Sequence, residues 1–264
     1  MTSPNEFARG WRVLAAAFLG IGVSLVSLVF YTAGIWIIPW QDAFGWSRAE
    51  IGFAATLTTV TLVVSAPFAG QLIDRFGLRI VSTLSLVLFA LGLFGVSRMN
   101  GELWMFYSLT VAYTLVAVAS TPLAFTRAVN AWFHKNRGMA LGISLTSTGV
   151  AAAILPLILT PYVDQHGWRA GFVLLSVIVL LAVPIIWVWI PDDGPVGMPS
   201  MDQTADPASV RDIVFGPILW RLAVVFFLIA LAVCGLIPSF IPLLRDAGLS
   251  AHAAGGYMAI IGVS

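Results

Sequence analysis

What most constrains this chain is a succession of apolar stretches, each about as long as a bilayer crossing, separated by short polar joins. A helix rises ~1.5 Å per residue and needs ~20 residues to cross the hydrocarbon core. Stretches near 13–38, 80–97, 103–126, 138–160, 170–190 and 218–240 meet or approach that length, as does one running from the join at Ser47 to about 73. An eighth begins near Ala251. Hydrophobic residues make up 59% of the chain and charged residues 9%, proportions with which a water-soluble domain of 264 residues would aggregate. In lipid each backbone N–H and C=O must be satisfied internally, and stretches this long do that as helices. The sequence therefore predicts an all-α polytopic membrane protein embedded in a cell membrane, plasma or inner. The first stretch is too long for a signal-peptide core and has no convincing cleavage site, so it is expected to be retained.

The joins set the organisation. Residues 39–49 read as a loop, and Ser47 with Glu50 three residues later spells a capping box that opens the second helix. Residues 191–217 turn to Asp, Pro, Gly and Ser and read as a linker. The expected plan is a six-helix bundle over 1–190, a cytoplasmic linker over 191–217, and the start of a second bundle over 218–264. A repeat supports this plan. Ile38, Pro39, Gly45, Ser47 and Gly52 are answered by Ile241, Pro242, Gly248, Ser250 and Gly255 at a constant offset of 203. The match falls on the join after helix one and the join after helix seven, as two parallel halves require.

Nine basic residues fall on one side (Arg9, Arg12, Arg75, Arg79, Arg127, Lys135, Arg137, Arg211, Arg221) and four on the other (Arg48, Arg98, Arg169, Arg245). The excess on the first side predicts a cytoplasmic N-terminus. All ten tryptophans lie near proposed helix ends and are expected to form the aromatic belts. The net charge is +1 with the basic residues dispersed, which gives no nucleic-acid surface. Cys234 is the single cysteine, and His134, His166 and His252 have no ligand spacing, so no metal or cofactor is expected. No nucleophile, base and orienting group share a helix face, so the chain does not read as an enzyme.

The most polar join between two spans is Gly-Gln-Leu-Ile-Asp-Arg-Phe-Gly-Leu-Arg, residues 70–79. Asp74 ends one helix, where it faces the negative end of the dipole, and so needs a positive partner. Arg75 and Arg79 are within reach, Gly77 permits a left-handed turn, and Gly70 admits a close backbone. A capped hairpin marking the cytoplasmic face would account for Gly77 and the arginines. The joint spacing of Gly70, Leu72, Asp74, Arg75, Gly77 and Arg79 resembles the signature loop of the major facilitator superfamily, between its second and third helices. That resemblance implies a fold of two six-helix bundles and a charge latch that helps hold one face closed. Leu78 stands where the family usually carries a second basic residue.

Helical spacing gives candidate pathway faces. Gly20, Ser24, Ser27, Tyr31 and Gly34 share one face of the first helix, and Thr110, Tyr113, Ala117, Ser120, Ala124 and Arg127 share one face of the fourth. Close packing through small residues explains the glycines and alanines. Lining of a water-filled cavity fits Ser24, Ser27, Tyr31, Tyr113 and Ser120. Arg127, five residues before Trp132, reads as a cavity cation or as a side chain snorkelling to the inner interface, the second being favoured.

Phe44-Gly45-Trp46-Ser47-Arg48-Ala49-Glu50, and Trp132-Phe133 followed by Arg137-Gly138-Met139-Ala140-Leu141-Gly142-Ile143, resemble the branch containing monocarboxylate porters and oxalate/formate antiporters. That likeness implies a secondary carrier of small organic anions, moved with protons or in exchange by alternating access. The alternatives are an efflux carrier of other small molecules and a membrane fragment that does not transport. No carboxylate lies mid-span, so coupling groups are expected beyond Ser264, and the 264-residue chain alone is expected not to transport.

Overall fold

The computed structural model describes residues 6–190, 217–249 and 257, all but the joins helical. The expected linker over 191–217 lies almost wholly outside the described residues, as do most of the eighth helix and the Ser250 and Gly255 end of the repeat. In chain order the elements are α1 (Glu6–Gly22), a π-helical turn (Val26–Phe30), α2 (Tyr31–Phe44), α3 (Arg48–Phe76), α4 (Leu78–Ser97) and α5 (Leu103–Ala117). A 3-10 turn (Val118–Ser120), α6 (Pro122–Trp132), α7 (Arg137–Trp189) and α8 (Pro217–Asp246) follow.

The joins are shorter than expected, for local reasons. Pro39 sits inside α2, which runs on to Phe44 and ends on Gly45 at φ 70°, so the expected loop over 39–49 contracts to 45–47. The aromatic side chains of that extra turn pack in the core, which offsets the hydrogen bond lost at the proline. The capping box forms as spelled: Glu50 N donates to Ser47 Oγ at 3.2 Å, and Ser47 N donates to Glu50 Oε2 at 2.8 Å. Gly77 (φ 84°, ψ 149°) and Gly167 (φ 82°, ψ 162°) each turn the chain within one residue, in a region open to glycine. Gly77 is thus positive in φ, with an extended ψ in place of the expected left-handed helical one. Gly167 divides the 53 residues of α7 into two crossings, 137–166 and 168–189, so the expected join near 161–169 is one glycine.

Two crossings are broken midway. Between α1 and α2 the helix is interrupted at Val23 and Ser24 and then widens into the π turn, where Ser27 Oγ donates to the Ile21 carbonyl at 2.6 Å and Ser24 Oγ accepts from Ser27 N at 3.4 Å. The two serines occupy backbone groups that the break releases. Between α5 and α6, Pro122 disfavours a helical Thr121, which is extended (φ −74°, ψ 162°), and the proline then opens α6.

Lipid tails are as apolar as leucine, so helices in a membrane are held by close packing and hydrogen bonds more than by burial from water. The contacts are correspondingly tight. A Cβ on Gly20 would lie 2.3 Å from the Phe125 ring, and one on Gly92 would lie 2.4 Å from Tyr113 Cβ. Ser85 Oγ donates across helices to Val116 O at 2.6 Å, and Ser176 Oγ to Ala90 O at 2.9 Å. Trp36, Trp40, Trp46 and Trp168 form an inward aromatic cluster with Phe106 and Phe172, with Trp36 and Phe172 at 4.3 Å between ring centres. These four therefore depart from the expected belt, whereas Trp11, Trp104, Trp187 and Trp220 are exposed.

Candidate functional site

The corner between α3 and α4 is built from Ile73 to Arg79. Gly77 N donates to Ile73 O at 2.9 Å and closes α3, leaving Asp74 in its last turn, where the helix dipole is unfavourable to an anion. Its partner comes from another crossing: Arg127 Nη1 of α6 donates to Asp74 Oδ1 at 3.0 Å. Arg127, expected to line a cavity or to snorkel, is therefore ion-paired across two crossings. The expected partners turn elsewhere. Arg75 lies over the Phe76 ring at 5.2 Å and Arg79 over Trp187 at 4.4 Å, tying the start of α4 to the end of α7. Gly70 admits no close backbone, the nearest group to an added Cβ being Arg127 Nη2 at 3.8 Å. Leu72 is exposed. Side chains of Arg127 and Asp74 are 38% and 67% exposed, so the pair is water-screened and weak, about 0.2–1 kcal/mol.

Of the proposed cavity residues, Ser24, Ser27, Ser120 and Tyr113 are buried within the six-helix bundle. Ser120 Oγ donates to Ala117 O at 2.8 Å, and Tyr113 packs on Phe89 at 6.0 Å between ring centres. Small residues on both sides make this close packing possible among the described residues. Tyr31 is partly exposed. Behind the Asp74 corner lies a crevice of about 60 Å³ lined by Ala66, Ala69, Gly70, Ile73, Thr121 and Arg127 among others. It has room for about two waters and none for an organic anion. A groove of about 290 Å³ beside Trp11, Phe18 and Ile143 is lined by apolar side chains. Neither of these two crevices encloses a polar substrate site.

Sequence reasoning missed a second corner of the same spelling. Asp164-x-x-Gly167-x-Arg169 repeats Asp74-x-x-Gly77-x-Arg79 at an offset of 90, and the two glycines share a conformation. Arg169 Nη2 donates to Met99 O at 3.1 Å at the end of α4, as Arg79 meets Trp187 at the end of α7. The Asp-x-x-Gly-x-Arg spacing was the signal that could have found it. Glu6 is a further missed group: it accepts from Lys135 N at 3.1 Å and Asn136 N at 3.0 Å, capping α7 from a residue 130 positions away.

The sequence pattern of the Major Facilitator Superfamily matches residues 13–264. Human monocarboxylate transporter 11 is 28% identical over 199 residues, covering 73% of this chain and 41% of its own length. The Escherichia coli membrane sensor protein UhpC is 28% identical over 204 residues, 74% of this chain and 44% of its own. The riboflavin transporter RibJ of Trypanosoma brucei brucei is 30% identical over 131 residues, 47% of this chain and 23% of its own. The crystal structure of a peptide transporter with alafosfalin aligns at TM-score 0.57 and 16% identity, covering 94% of this chain and 53% of that one. The chain spans less than half the length of these curated relatives.

Proposed function

The chain belongs to the major facilitator superfamily, and from that premise we propose that it forms the first half, with the opening helix of the second, of a secondary carrier for small organic anions of the monocarboxylate kind. Proton coupling or exchange drives the carrier, and the two halves rock about a midplane site. The observation that carries this reading is the inner corner. Arg127 holds Asp74 through Oδ1 at the mouth of the six-helix bundle, an arrangement suited to a latch that meets the opposite half. Gly70, Leu72, Arg75, Gly77 and Arg79 complete that corner. The likeness to monocarboxylate transporter 11 over 73% of the chain supports the substrate class. The polar substrate site then forms between the halves, consistent with a first half whose own crevices are too small or too apolar. The N-terminus and the 191–217 linker are cytoplasmic in this reading, which rests on the excess of basic residues.

A second reading is favoured by the likeness to UhpC, whose name is that of a sensor. In it the same fold binds a small anion and signals without moving it. Counterflow of radiolabelled lactate, pyruvate, oxalate and formate into proteoliposomes, with this half joined to the rest of its carrier, separates the two. Saturable carboxylate uptake, raised by an inward proton gradient or by internal carboxylate, is the expected result. Saturable riboflavin or peptide uptake in its place would overturn the substrate class, and tight anion binding without uptake would favour the sensor.

A further inference from the structure

We propose that Arg48 and Asp246 form a clasp that holds the outer end of α8 against the six-helix bundle, and that it parts when the halves rock; this rests on the carrier reading above. Arg48 Nη2 donates to Asp246 Oδ1 at 3.0 Å and to Oδ2 at 2.8 Å, while its Nε reaches Gln41 Oε1 of α2 at 3.4 Å. The guanidinium stands on a fixed platform. Ser47 and Glu50 close the capping box beneath it, and Tyr107 of α5 donates its hydroxyl to Glu50 O at 3.0 Å.

Local stability does not explain these two charges. Arg48 is the first residue of α3, at the positive end of that helix dipole, and Asp246 is the last residue of α8, at the negative end. Each sits where its own helix disfavours it, and each is satisfied by the other. The two ends of α8 also differ. At the outer end Ile241 is 2% exposed and Pro242 is buried against the bundle, whereas Trp220, Leu222, Val224, Phe227 and Leu228 nearer the start are exposed. The helix leans on the bundle at the clasp and stands away from it below. The Asp74–Arg127 pair joins two elements of one bundle, so a rigid rocking motion leaves it intact. Arg48–Asp246 joins the bundle to α8, and the same motion stretches it.

With both side chains about half exposed, at 47% and 48%, the pair biases the state populations without fixing them. An exposed pair shifts an equilibrium up to about fivefold. That strength suits a contact made and broken in each cycle.

The test is a distance measurement between spin labels at Ala49→Cys and Ala247→Cys, on a Cys234→Ser background, in lipid vesicles. The parent should show one dominant short distance. Asp246→Asn and Arg48→Gln should each raise the longer-distance population about two- to fivefold. The exchange Arg48→Asp with Asp246→Arg should restore the short distance, because it keeps the pair and puts each charge at the favoured end of its helix. Unchanged distances in both single variants, or an exchange that behaves like the singles, would overturn the clasp. The distance is blind to which membrane face the clasp occupies and to substrate, so failure of the orientation or of transport would be seen separately.

Discussion

Gly92→Ala tests the close packing of α4 on Tyr113 of α5. The added methyl would lie 2.4 Å from Tyr113 Cβ, 3.3 Å from its Cα and 3.6 Å from its Cγ. Carbon atoms pack at about 3.5–4.0 Å, so α4 and α5 must part by about 1 Å. Tyr113 cannot simply swing away, because Phe89 lies against its ring and the clash involves Cβ, which no rotamer moves. Separation would also strain the Ser85 to Val116 hydrogen bond between the same two elements. Overpacking of this kind costs about 1–3 kcal/mol. For a body of this size that lowers the thermal midpoint by about 2–12 °C. Gly52→Ala is the control, since its Cβ meets nothing within 4 Å. Thermal unfolding in mild detergent, followed by tryptophan fluorescence, would measure both. Gly92→Ala melting with the parent, or both alanines losing the same stability, would refute the packing assignment.

Two further outcomes follow from the ends of the helices. Cysteines at Ser200 and Asp42, on a Cys234→Ser background, should label from opposite sides of sealed vesicles, Ser200 from the cytoplasmic one; labelling of both from one side would contradict the proposed orientation. Glu6→Ala removes the acceptor that holds the Lys135 and Asn136 amides, so trypsin should cut at Lys135 and Arg137 several-fold faster, and an unchanged cleavage rate would show that this cap does not hold the join.

The long apolar helices of the described residues were legible because lipid imposes one length on every span, and Ser47 with Glu50 marked a helix start that the structure reproduces. The ends were less legible. A proline at 39 reads as a break from local chemistry alone, yet the aromatic packing of Trp36, Trp40 and Phe44 carries the helix past it. A single glycine such as Gly167 can turn the chain with no polar run to announce it. The small polar faces read equally as cavity or as packing, since both need serine and glycine. Burial inside a bundle depends on how neighbouring crossings rotate, which helical spacing does not encode. The partner of Asp74 lay 53 residues away on another crossing, beyond any local pattern.

The central claim is that Asp74 and Arg127 act as one unit in setting which face of the carrier is open. It is tested most directly by a double-mutant cycle in the complete carrier, reading the ratio of inward-open to outward-open populations from spin-label distances across the inner face. Asp74→Asn and Arg127→Gln should each shift that ratio in the same direction, because each disturbs the contact that the intact pair makes with the opposite half, and the double variant should shift it no further than either single one. A double variant whose shift is the product of the two single shifts, or single variants that cycle like the parent, would contradict the account.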